Sequence, residues 1–349
     1  HMARRGPDFG VQTGEIEIDF ARVMERQNQI RHSGSHGLES WLRGMEGVDL
    51  YAEFASFEDD HIVRVGNERI YGESIVINAG GRARSVDIEG IDQVDWLDNV
   101  RLLDLKELPE HLVIVGGSYI SLEFAQAFRR LGSQVTVLTR GPKLVSREDD
   151  DIAEAGSGIL GDEGVDFRLN AAIQRVTQPA QLQIIVDIEQ DGVTDQVVGS
   201  HLLVAVGRQP KSDRLNLDAT GVVINDGGYI QVNDVMQTSV PHIYAVGDIN
   251  GEGAFTHTSV NDGEIFWDNY AGDEDRTLSQ RISTYALFID PPLGRVGMSE
   301  QEARESGRNV LMATRPMSRI LRAKEKDETA GFIKILVDAD SEEFLGAAI

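Results

Sequence analysis

One stretch of this chain, residues 111–140, limits what it can fold into more than any other. Its sequence is HLVIVGGSYISLEFAQAFRRLGSQVTVLTR: an apolar run at 112–115, a glycine pair, apolar residues at helical spacing from 119 to 131, and a second apolar run at 134–138. Two buried-type strands around one amphipathic helix predict a parallel βαβ unit. The fold class predicted from this stretch is therefore α/β.

The turn between the first strand and the helix has the spacing of a dinucleotide-binding fingerprint. Where that fingerprint places glycines, the chain has Gly116, Ser118 and Ser121, and Gly117 lies between the first two. Gly116 keeps the position that needs unusual backbone angles, and the two serines are small enough for pyrophosphate to approach and for helix and strand to pack. Free N–H groups at the helix start favour an anion. We therefore predict dinucleotide binding; the alternative is a plain βαβ crossover with small residues in its turn.

The residue after the second strand distinguishes between two nicotinamide cofactors. NAD sites place Asp or Glu there to accept hydrogen bonds from the ribose hydroxyls. This chain has Arg140, with Lys143 and Arg147 soon after. A guanidinium pairs with the 2′-phosphate of NADP, and a carboxylate would repel it. The sequence therefore predicts NADP(H) binding through Arg140 and Arg147.

Composition and charge exclude several other classes of function. The 349 residues carry a formal net charge of −25, which repels nucleic-acid phosphate and anionic lipid, so neither is an expected partner. The chain has no cysteine, which rules out disulfides, iron–sulfur clusters, zinc ribbons and a cysteine nucleophile within these residues. No apolar run approaches the length of a bilayer span and no signal peptide is recognised, so we expect a cytoplasmic protein.

The segments before the βαβ unit are less regular. Residues 16–33 have helical spacing after Asp19, which suits an N-cap, and a looser stretch rich in Gly and Ser is expected to follow. His32 and His36 lie in the motif HSGSH without further ligands, which favours a solvated loop over a metal site. Short strand-like runs such as HIVRVGNERI and SIVINAGG come next.

The pattern changes in the last third of the chain. Residues 222–250 indicate two strands around a turn and then the segment PHIYAVGDIN, and a helical pattern follows at 259–270. Towards the C-terminus the runs TYALFI, NVLMAT, GFIKILVD and EFLGAAI are strand candidates, separated by one short helix that Ser299 and Glu302 begin as a capping box and Gly307 ends. Mostly strands with one or two helices indicate an α+β module.

Several segments, in order along the chain, together resemble one protein family. They are IVINAGGRA at 75–83, VIVGGSYISLEFA at 113–125, VAVGRQP at 204–210, TSVPHIYAVGDINGEGAFTHTSVNDG at 238–263 and DPPLGRVGMSEQEA at 290–303. The chain resembles the pyridine nucleotide–disulfide oxidoreductases, which include dihydrolipoamide dehydrogenase, glutathione reductase and mercuric reductase, and it is most similar to the mercuric-reductase-like branch. The resemblance implies a flavoprotein with two dinucleotide-binding domains, one of them a Rossmann-like NAD(P) domain, and a dimerisation domain.

The resemblance also implies domain boundaries. Residues 1–98 would be the remainder of an FAD-binding domain, 99–218 the NAD(P)H-binding domain, 219–282 a second FAD segment, and 283–349 part of the α+β dimerisation domain. The family's N-terminal FAD fingerprint, its redox-active cysteine pair and its C-terminal His and Glu have no counterpart in this sequence. We therefore expect a member truncated at both ends, with an intact NAD(P) domain and an incomplete FAD domain, whose intact form is a homodimer.

The matching motifs also imply which residues lie near the flavin. They are Ala79, Gly80, Gly247 and Asp248, and in the family the aspartate contacts the ribityl and phosphate region of the flavin. Without the resemblance, Gly247 and Asp248 would be interpreted as an ordinary turn that ends a strand.

A second set of residues is implied on the nicotinamide side and along the nucleotide cleft. These residues are Tyr119, Ile120, Glu123, Val206, Gly207 and Arg208. The simpler interpretation of the last three is a strand end followed by a turn. Glu123 could equally be an early-turn acid that faces the helix dipole.

These features predict an NADPH-dependent flavoprotein oxidoreductase in which hydride passes from NADPH to FAD. Two alternatives are a flavin-free NADP(H)-binding module without catalytic activity and a scaffold that only dimerises through its C-terminal sheet. Because the cysteine pair and the N-terminal fingerprint are missing, the sequence leaves open whether this chain binds FAD or catalyses a reaction. No catalytic residue and no metal site are assigned.

Overall fold

The computed structural model describes residues 1–272 and 275–349. Helices and strands alternate through the middle of the chain, and strands dominate its C-terminal part. No helix in the described ranges combines the length and the apolar character needed to cross a membrane.

The chain forms two compact units, each assembled from segments that are distant in sequence. Unit 1 contains residues 1–35, 85–207 and 283–349, and unit 2 contains residues 36–84 and 208–282. Each unit has buried apolar clusters of its own.

The strands and helices are numbered in chain order. The strands are β1 (Ala55–Phe57), β2 (Ile62–Val65), β3 (Glu68–Tyr71), β4 (Ile75–Ile77), β5 (Gly81–Ala83), β6 (His111–Val115), β7 (Gln134–Leu138), β8 (Asp166–Arg168), β9 (Ala171–Ala180), β10 (Gln183–Gln190), β11 (Val193–Gly199), β12 (His201–Val204), β13 (Arg208–Pro210), β14 (Ile243–Ala245), β15 (Thr284–Leu287), β16 (Leu293–Gly297), β17 (Val310–Pro316), β18 (Phe332–Asp338) and β19 (Phe344–Ala348). The α-helices are α1 (Phe20–Gly44), α2 (Asn99–Leu102), α3 (Tyr119–Leu131), α4 (Asp150–Asp162), α5 (Thr256–Ala271), α6 (Glu300–Glu305) and α7 (Leu321–Glu325).

A four-stranded parallel sheet with the order β12-β6-β7-β8 lies at the centre of unit 1. Strands β6, β7 and β12 are apolar runs buried on both faces, as expected for a parallel sheet covered by helices, whereas the edge strand β8 is less buried. Helix α3 connects β6 to β7 and buries Leu122, Ala125 and Phe128 in the same cluster as Leu112 and Ile114. The predicted βαβ unit is confirmed, and the bounds of α3 and β7 are those predicted from the sequence.

Unit 1 contains two further sheets, both antiparallel. One has the order β11-β10-β9, and β10 alternates buried and less buried residues as a sheet with one covered face does. The other, which we call the C-terminal sheet, has the order β15-β16-β19-β18-β17. The predicted capping box is confirmed, because the Glu302 N–H donates to Ser299 Oγ at 3.1 Å and the Ser299 N–H donates to Glu302 Oε2 at 2.8 Å.

Unit 2 consists of short strands around a small apolar core. It contains the meander β1-β2-β3, the antiparallel pair β13-β5 and the parallel pair β14-β4. The core of this unit consists of Phe57, Ile77, Leu217, Val222, Ile230, Ile243, Ala245 and Ile249.

Helix α1 is longer than the sequence predicted. The Arg22 N–H donates to Asp19 Oδ1 at 2.9 Å, so the helix begins where the N-cap was predicted. The helix then continues to Gly44, so His32 and His36 lie in a helix and not in the predicted loop, although both side chains are exposed to solvent as predicted. Glycines in a helix cost up to about 1 kcal/mol each relative to alanine, so local propensity disfavours a helix at Gly34 and Gly37, and the exposed Glu39–Arg43 pair offsets only about 0.2–0.5 kcal/mol of that cost.

The prediction of two strands around a turn at 222–250 is correct only in part. Strand β14 forms at Ile243–Ala245, but the earlier part contains a single bridge between Ile224 and Ile230 instead of a strand pair. The Asn225 side chain accepts hydrogen bonds from the N–H groups of Gly227 and Tyr229, at 2.9 and 3.1 Å, so a local Asn turn replaces an extended ladder.

Candidate functional site

Gly116 occupies a backbone conformation and a space that exclude every other residue. Its φ of 125° lies in the region that favours glycine, and a Cβ there would lie 2.4 Å from the carbonyl oxygen of Ala205. Its N–H donates to the carbonyl of Leu138 at 2.9 Å. The end of β6 is therefore pressed against the chain that follows β12, and this contact fixes where helix α3 can begin.

The start of α3 is suited to hold an anion. Ser118 is its N-cap, is exposed, and makes no side-chain capping bond to the helix. The first N–H groups of a helix have no partner inside the helix, so those of α3 can donate hydrogen bonds to an anionic ligand above the turn. Ser121 is fully buried and its hydroxyl donates to the Ala205 carbonyl at 3.3 Å, so it packs helix against strand as predicted.

Two of the three cations behind β7 keep their charge available. Arg140 and Arg147 are exposed, and neither makes a side-chain hydrogen bond or an ion pair with the residues that the structure describes. Lys143 differs, because its Nζ donates to Asp150 Oδ1 and to the Glu148 carbonyl, both at 2.7 Å. The arginines can therefore meet an external phosphate without first breaking a protein contact.

Glu123 has a structural partner that the sequence did not indicate. Its Oε1 accepts the N–H of Phe288 at 3.0 Å. Burial raises the pKa of the Glu123 carboxyl, and the hydrogen bond from Phe288 opposes that rise. Ile120, in the same first turn of α3, is half-buried.

In unit 2, the turn at Gly247 also leaves no room for a side chain. Gly247 has a φ of 75°, and a Cβ would lie 2.7 Å from both Asn78 Oδ1 and Ser259 Oγ. Its N–H donates at 2.8 Å to Asp262, a buried carboxylate that also accepts from Asn250 Nδ2 at 2.8 Å and pairs with Arg281. Asp262 thus fixes the backbone of this turn through the Gly247 N–H, and the Asp248 side chain remains partly exposed.

Asp248 lies beside Arg208. The Arg208 Nε is 3.3 Å from Asp248 Oδ2, and another guanidinium nitrogen of Arg208 donates to the Gly81 carbonyl at 2.7 Å. Gly80 directly precedes β5 and has a φ of 67°. Its carbonyl accepts the Lys211 N–H at 3.0 Å. The structure therefore brings together Gly80, Arg208 and Asp248, which are far apart in sequence.

Three other residues implied by the resemblance lie at the edges of their elements. Ala79 follows β4 and packs against the core of unit 2. Val206 packs against an apolar cluster of unit 1, and Gly207 has a φ of 111° with open space where a Cβ would lie.

Sequence reasoning missed a buried charged network in unit 1. The side chain of Glu148 is 0% exposed and that of Arg295 is 2% exposed, and their charged atoms are 2.8 Å apart. The hydroxyls of Tyr119 and Tyr285 donate to Glu148 Oε1 at 2.7 and 2.8 Å. The first residue of α3 and two strands of the C-terminal sheet thus meet at one carboxylate.

Both tyrosines remain protonated donors in this network. Burial raises the pKa of Tyr285 to about 12, with the Glu148 charge as a further cause. Burial also raises the pKa of Tyr119, again reinforced by Glu148. For Arg295, burial is the largest single influence and acts to lower the pKa, but the contacts with Glu148, Tyr285 and Asp149 together outweigh burial and the pKa rises.

One sequence signal could have revealed this network. Lys334 stands in the apolar strand run GFIKILVD, where a lysine needs acidic partners if the strand is buried. Its side chain is 2% exposed, and its Nζ lies 2.5 Å from Glu300, 3.0 Å from Asp151 and 3.3 Å from Asp149. Three acids of the run 148–151, namely Glu148, Asp149 and Asp151, therefore pair with buried cations, so this run is not only a solvated face.

Asp60, His61 and His242 of unit 2 offer ligand atoms within 4.8 Å of one another. The two imidazoles stack in parallel, with centroids 3.8 Å apart and 3° between their planes, and Tyr71 stacks on His61. Each ring directs one nitrogen at a backbone carbonyl, of Gly72 or of Asp60. Because an imidazole lone pair lies in the ring plane, two parallel rings cannot point at one ion, so this arrangement is an aromatic stack.

The βαβ unit with its tight glycine turn and the second Gly–Asp turn belong to a protein of mixed α/β fold. Residues 13–263 match the family described as pyridine nucleotide-disulphide oxidoreductase, and residues 283–349 match its dimerisation domain. The chain belongs to this family.

Individual relatives give the same result. The chain is 37% identical to the probable pyridine nucleotide-disulfide oxidoreductase RclA of Escherichia coli strain K12, over 97% of this chain and 77% of that protein. It is 31% identical to the mercuric reductase of Staphylococcus aureus, over all of this chain but only 63% of the relative, less than two thirds of its length. A solved structure described as the HOCl-induced flavoprotein disulfide reductase RclA from Escherichia coli superposes with a TM-score of 0.88 at 36% identity, covering 95% of this chain and 76% of that one.

These similarities confirm the predicted family and the mixed α/β fold of a flavoprotein disulfide reductase. They do not confirm the expectation of an incomplete FAD domain, and they lend no support to the flavin-free alternative.

Replacing Gly116 by alanine should destabilise unit 1. The added Cβ would collide with the Ala205 carbonyl, and the positive φ is strained for alanine, which costs about 1–3 kcal/mol or more. Urea denaturation should show a lower midpoint for G116A. Gly158→Ala is the matched control, because Gly158 lies in α4 with no atom near its Cβ position, and it should leave the midpoint unchanged or raise it. A midpoint for G116A equal to that of the control would contradict this description of the turn.

Proposed function

We propose that this chain is an NADPH-dependent flavoprotein oxidoreductase in which hydride passes from NADPH to FAD. The observation that supports the proposal most directly is the start of α3, which follows Gly116 and has no side-chain cap, together with the exposed Arg140 and Arg147, which have no ion-pair partner among residues 1–272 and 275–349. Family membership supplies the class of reaction. The chain itself contains no cysteine, so a dithiol step is not part of what we propose for these residues.

The proposal assigns NADPH to unit 1. The N–H groups after Gly116 would bind the pyrophosphate, and Arg140 with Arg147 would bind the 2′-phosphate. Tyr119, Ile120 and Glu123 would lie on the nicotinamide side. In a chain with 58 acidic residues, an anionic cofactor is repelled almost everywhere, so two uncommitted guanidinium groups at this place favour NADPH over NADH.

The proposal assigns the flavin to unit 2. Gly247 would allow close approach, Asp248 would accept from ribityl hydroxyls, and Ala79 and Gly80 would line the same site. The fit is supported by the tight cradle at Gly247 and by Arg208, which orients the Asp248 carboxylate. Val206 and Gly207 would border the nucleotide cleft. When bound, FAD would supply the hydride-accepting chemistry, and the protein's contribution would be binding and orientation.

The domain assignment and the oligomeric state belong to the same proposal. We assign residues 1–98 and 219–282 to the FAD domain, 99–218 to the NAD(P)H domain and 283–349 to the dimerisation domain. The compact units divide the chain at different points, because residues 1–35 and 85–98 belong to unit 1 and residues 208–218 belong to unit 2. A homodimer is supported by the match of residues 283–349 to the family's dimerisation domain. Large apolar side chains exposed on the C-terminal sheet, such as Leu311 at 58% and Phe344 at 79%, fit a surface that a second copy covers.

The flavin assignment predicts a coloured protein whose colour depends on Gly247. Purified chain mixed with FAD and passed through a desalting column should retain flavin absorbance, and NADPH should bleach it under anaerobic conditions. Gly247→Ala should lose the flavin, because its Cβ would lie 2.7 Å from Asn78 Oδ1. Gly263→Ala, in α5 with open space at its Cβ position, is the control that should retain it. Colourless wild-type protein that still binds NADPH would favour a flavin-free binding module instead.

Reversing the charge of Arg140 should reverse the cofactor preference. Arg140→Glu should weaken NADPH binding by about 10- to 100-fold, the usual cost of losing a charge-assisted hydrogen bond, and should improve NADH binding relative to NADPH. Isothermal titration calorimetry measures both affinities. Arg26→Glu, the same charge change at an exposed position of α1, should leave the preference unchanged. Unchanged NADPH affinity in R140E would show that the 2′-phosphate binds elsewhere.

A further inference from the structure

The segment between β7 and α4 contacts the glycine turn at two points. The Val145 N–H donates to the Gly117 carbonyl at 2.7 Å, and the Glu148 carboxylate accepts the Tyr119 hydroxyl at 2.7 Å. Val145 has a φ of 39°, a costly conformation for a β-branched residue that persists only where the surroundings impose it. This segment, residues 143–149, is therefore held in one particular arrangement against the turn.

Glu148 is the point at which this segment is held. Its two carboxylate oxygens are fully used: Oε1 accepts from the hydroxyls of Tyr119 and Tyr285, and Oε2 accepts from Arg295 Nε at 2.9 Å. Arg295 also contacts Asp149 Oδ2 at 3.2 Å. A buried carboxylate with every partner in place has one orientation only, because leaving any donor or acceptor unpaired is costly.

Two of the partners of Glu148 come from the C-terminal sheet. Tyr285 lies on β15 and Arg295 lies on β16, and the two strands pair with Tyr285 opposite Arg295. Tyr119, in contrast, is the first residue of α3, so its own N–H is one of those that face an anion above the turn. The carboxylate thus joins the C-terminal sheet to the helix start.

We propose that Glu148 is a positioning residue for the dinucleotide turn, kept in place by Tyr285 and Arg295 of the C-terminal sheet. The inference rests on the proposed nucleotide site and specifies which contacts fix the geometry of that site before the ligand binds. By fixing Tyr119, Glu148 fixes the direction of the first N–H groups of α3 before the ligand arrives, so binding does not have to order them. Residues of the C-terminal sheet therefore influence cofactor affinity without touching the cofactor.

The proposal predicts which part of the cofactor senses Glu148. The first turn of α3 would contact the pyrophosphate, whereas the 2′-phosphate would be bound by arginines after β7. Loss of Glu148 should therefore weaken ligands that contain a pyrophosphate and spare those that lack it. A purely structural role, in which the variant only unfolds more easily, would not distinguish between the two kinds of ligand.

The test is calorimetric titration of the whole chain with three probes. The first is 2′-phospho-ADP-ribose, which has both groups; the second is ADP-ribose, which lacks the 2′-phosphate; the third is 2′-AMP, which lacks the pyrophosphate. Glu148→Gln and Tyr119→Phe should each weaken the first two probes about tenfold and leave the third within about twofold. The double variant should lose less than the sum of the two single losses, because both changes alter the contact between Glu148 and Tyr119.

Two milder variants guard against misfolding and non-specific effects. Tyr285→Phe removes only a hydroxyl, within the C-terminal sheet, and should weaken both pyrophosphate probes about threefold. Tyr71→Phe removes a hydroxyl from an exposed tyrosine of unit 2 and should change none of the three affinities. Equal loss for all three probes in E148Q and Y285F, or no loss in either, would overturn the proposal.

The same titrations separate this proposal from the proposed function. If wild type binds 2′-phospho-ADP-ribose and ADP-ribose equally well, the NADPH preference is wrong, while the effect of Glu148 on both probes still supports its positioning role. If wild type prefers the phosphorylated probe and the Glu148 variants bind as wild type does, the cofactor assignment is supported and the positioning role is wrong. If wild type binds none of the three probes, both the proposed function and the positioning role of Glu148 are contradicted.

Discussion

The close approach of Gly116 to the Ala205 carbonyl is the constraint on which the candidate site in unit 1 depends. A Cβ at Gly116 would lie 2.4 Å from that oxygen, so the end of β6 and the chain after β12 share a space that only glycine permits. Because β12 and β6 are neighbouring parallel strands, this contact fixes where α3 starts. The start of α3 in turn positions its first amides and Tyr119, whose hydroxyl donates to Glu148. The arginines of the candidate site follow β7, the strand that α3 leads into.

Basic residues are the minority in this acidic chain, and several of them occupy specific positions. The chain has 33 basic and 58 acidic residues, yet Arg295 and Lys334 are buried in the C-terminal sheet and Arg140 makes no ion pair within the described residues. A buried ion pair is not by itself stabilising, since apolar residues of similar volume often serve as well. In this chain the Glu148–Arg295 pair joins the segment after β7 to the C-terminal sheet at one carboxylate.

The sequence was most informative where local and tertiary preferences agree. Helix α3 was predicted to the residue, because its apolar spacing and the preceding glycine turn specify the same boundaries. The end of α1 was missed because Gly and Ser lower local helix propensity, although the helix continues to Gly44. Glu148 was missed for a different reason: it lies in an acidic run, and its buried partner Arg295 is 147 residues away. No local pattern specifies such a contact, so it required the structure.

The central claim is that the amides after Gly116 bind the anionic part of a dinucleotide. Amide hydrogen exchange at residues 118–121, measured by NMR or by mass spectrometry with and without NADPH, tests it most directly. The account predicts that exchange at these amides slows when NADPH is added and slows much less when NADH is added at the same concentration. Unchanged exchange at 118–121, with protection elsewhere in the chain, would contradict it.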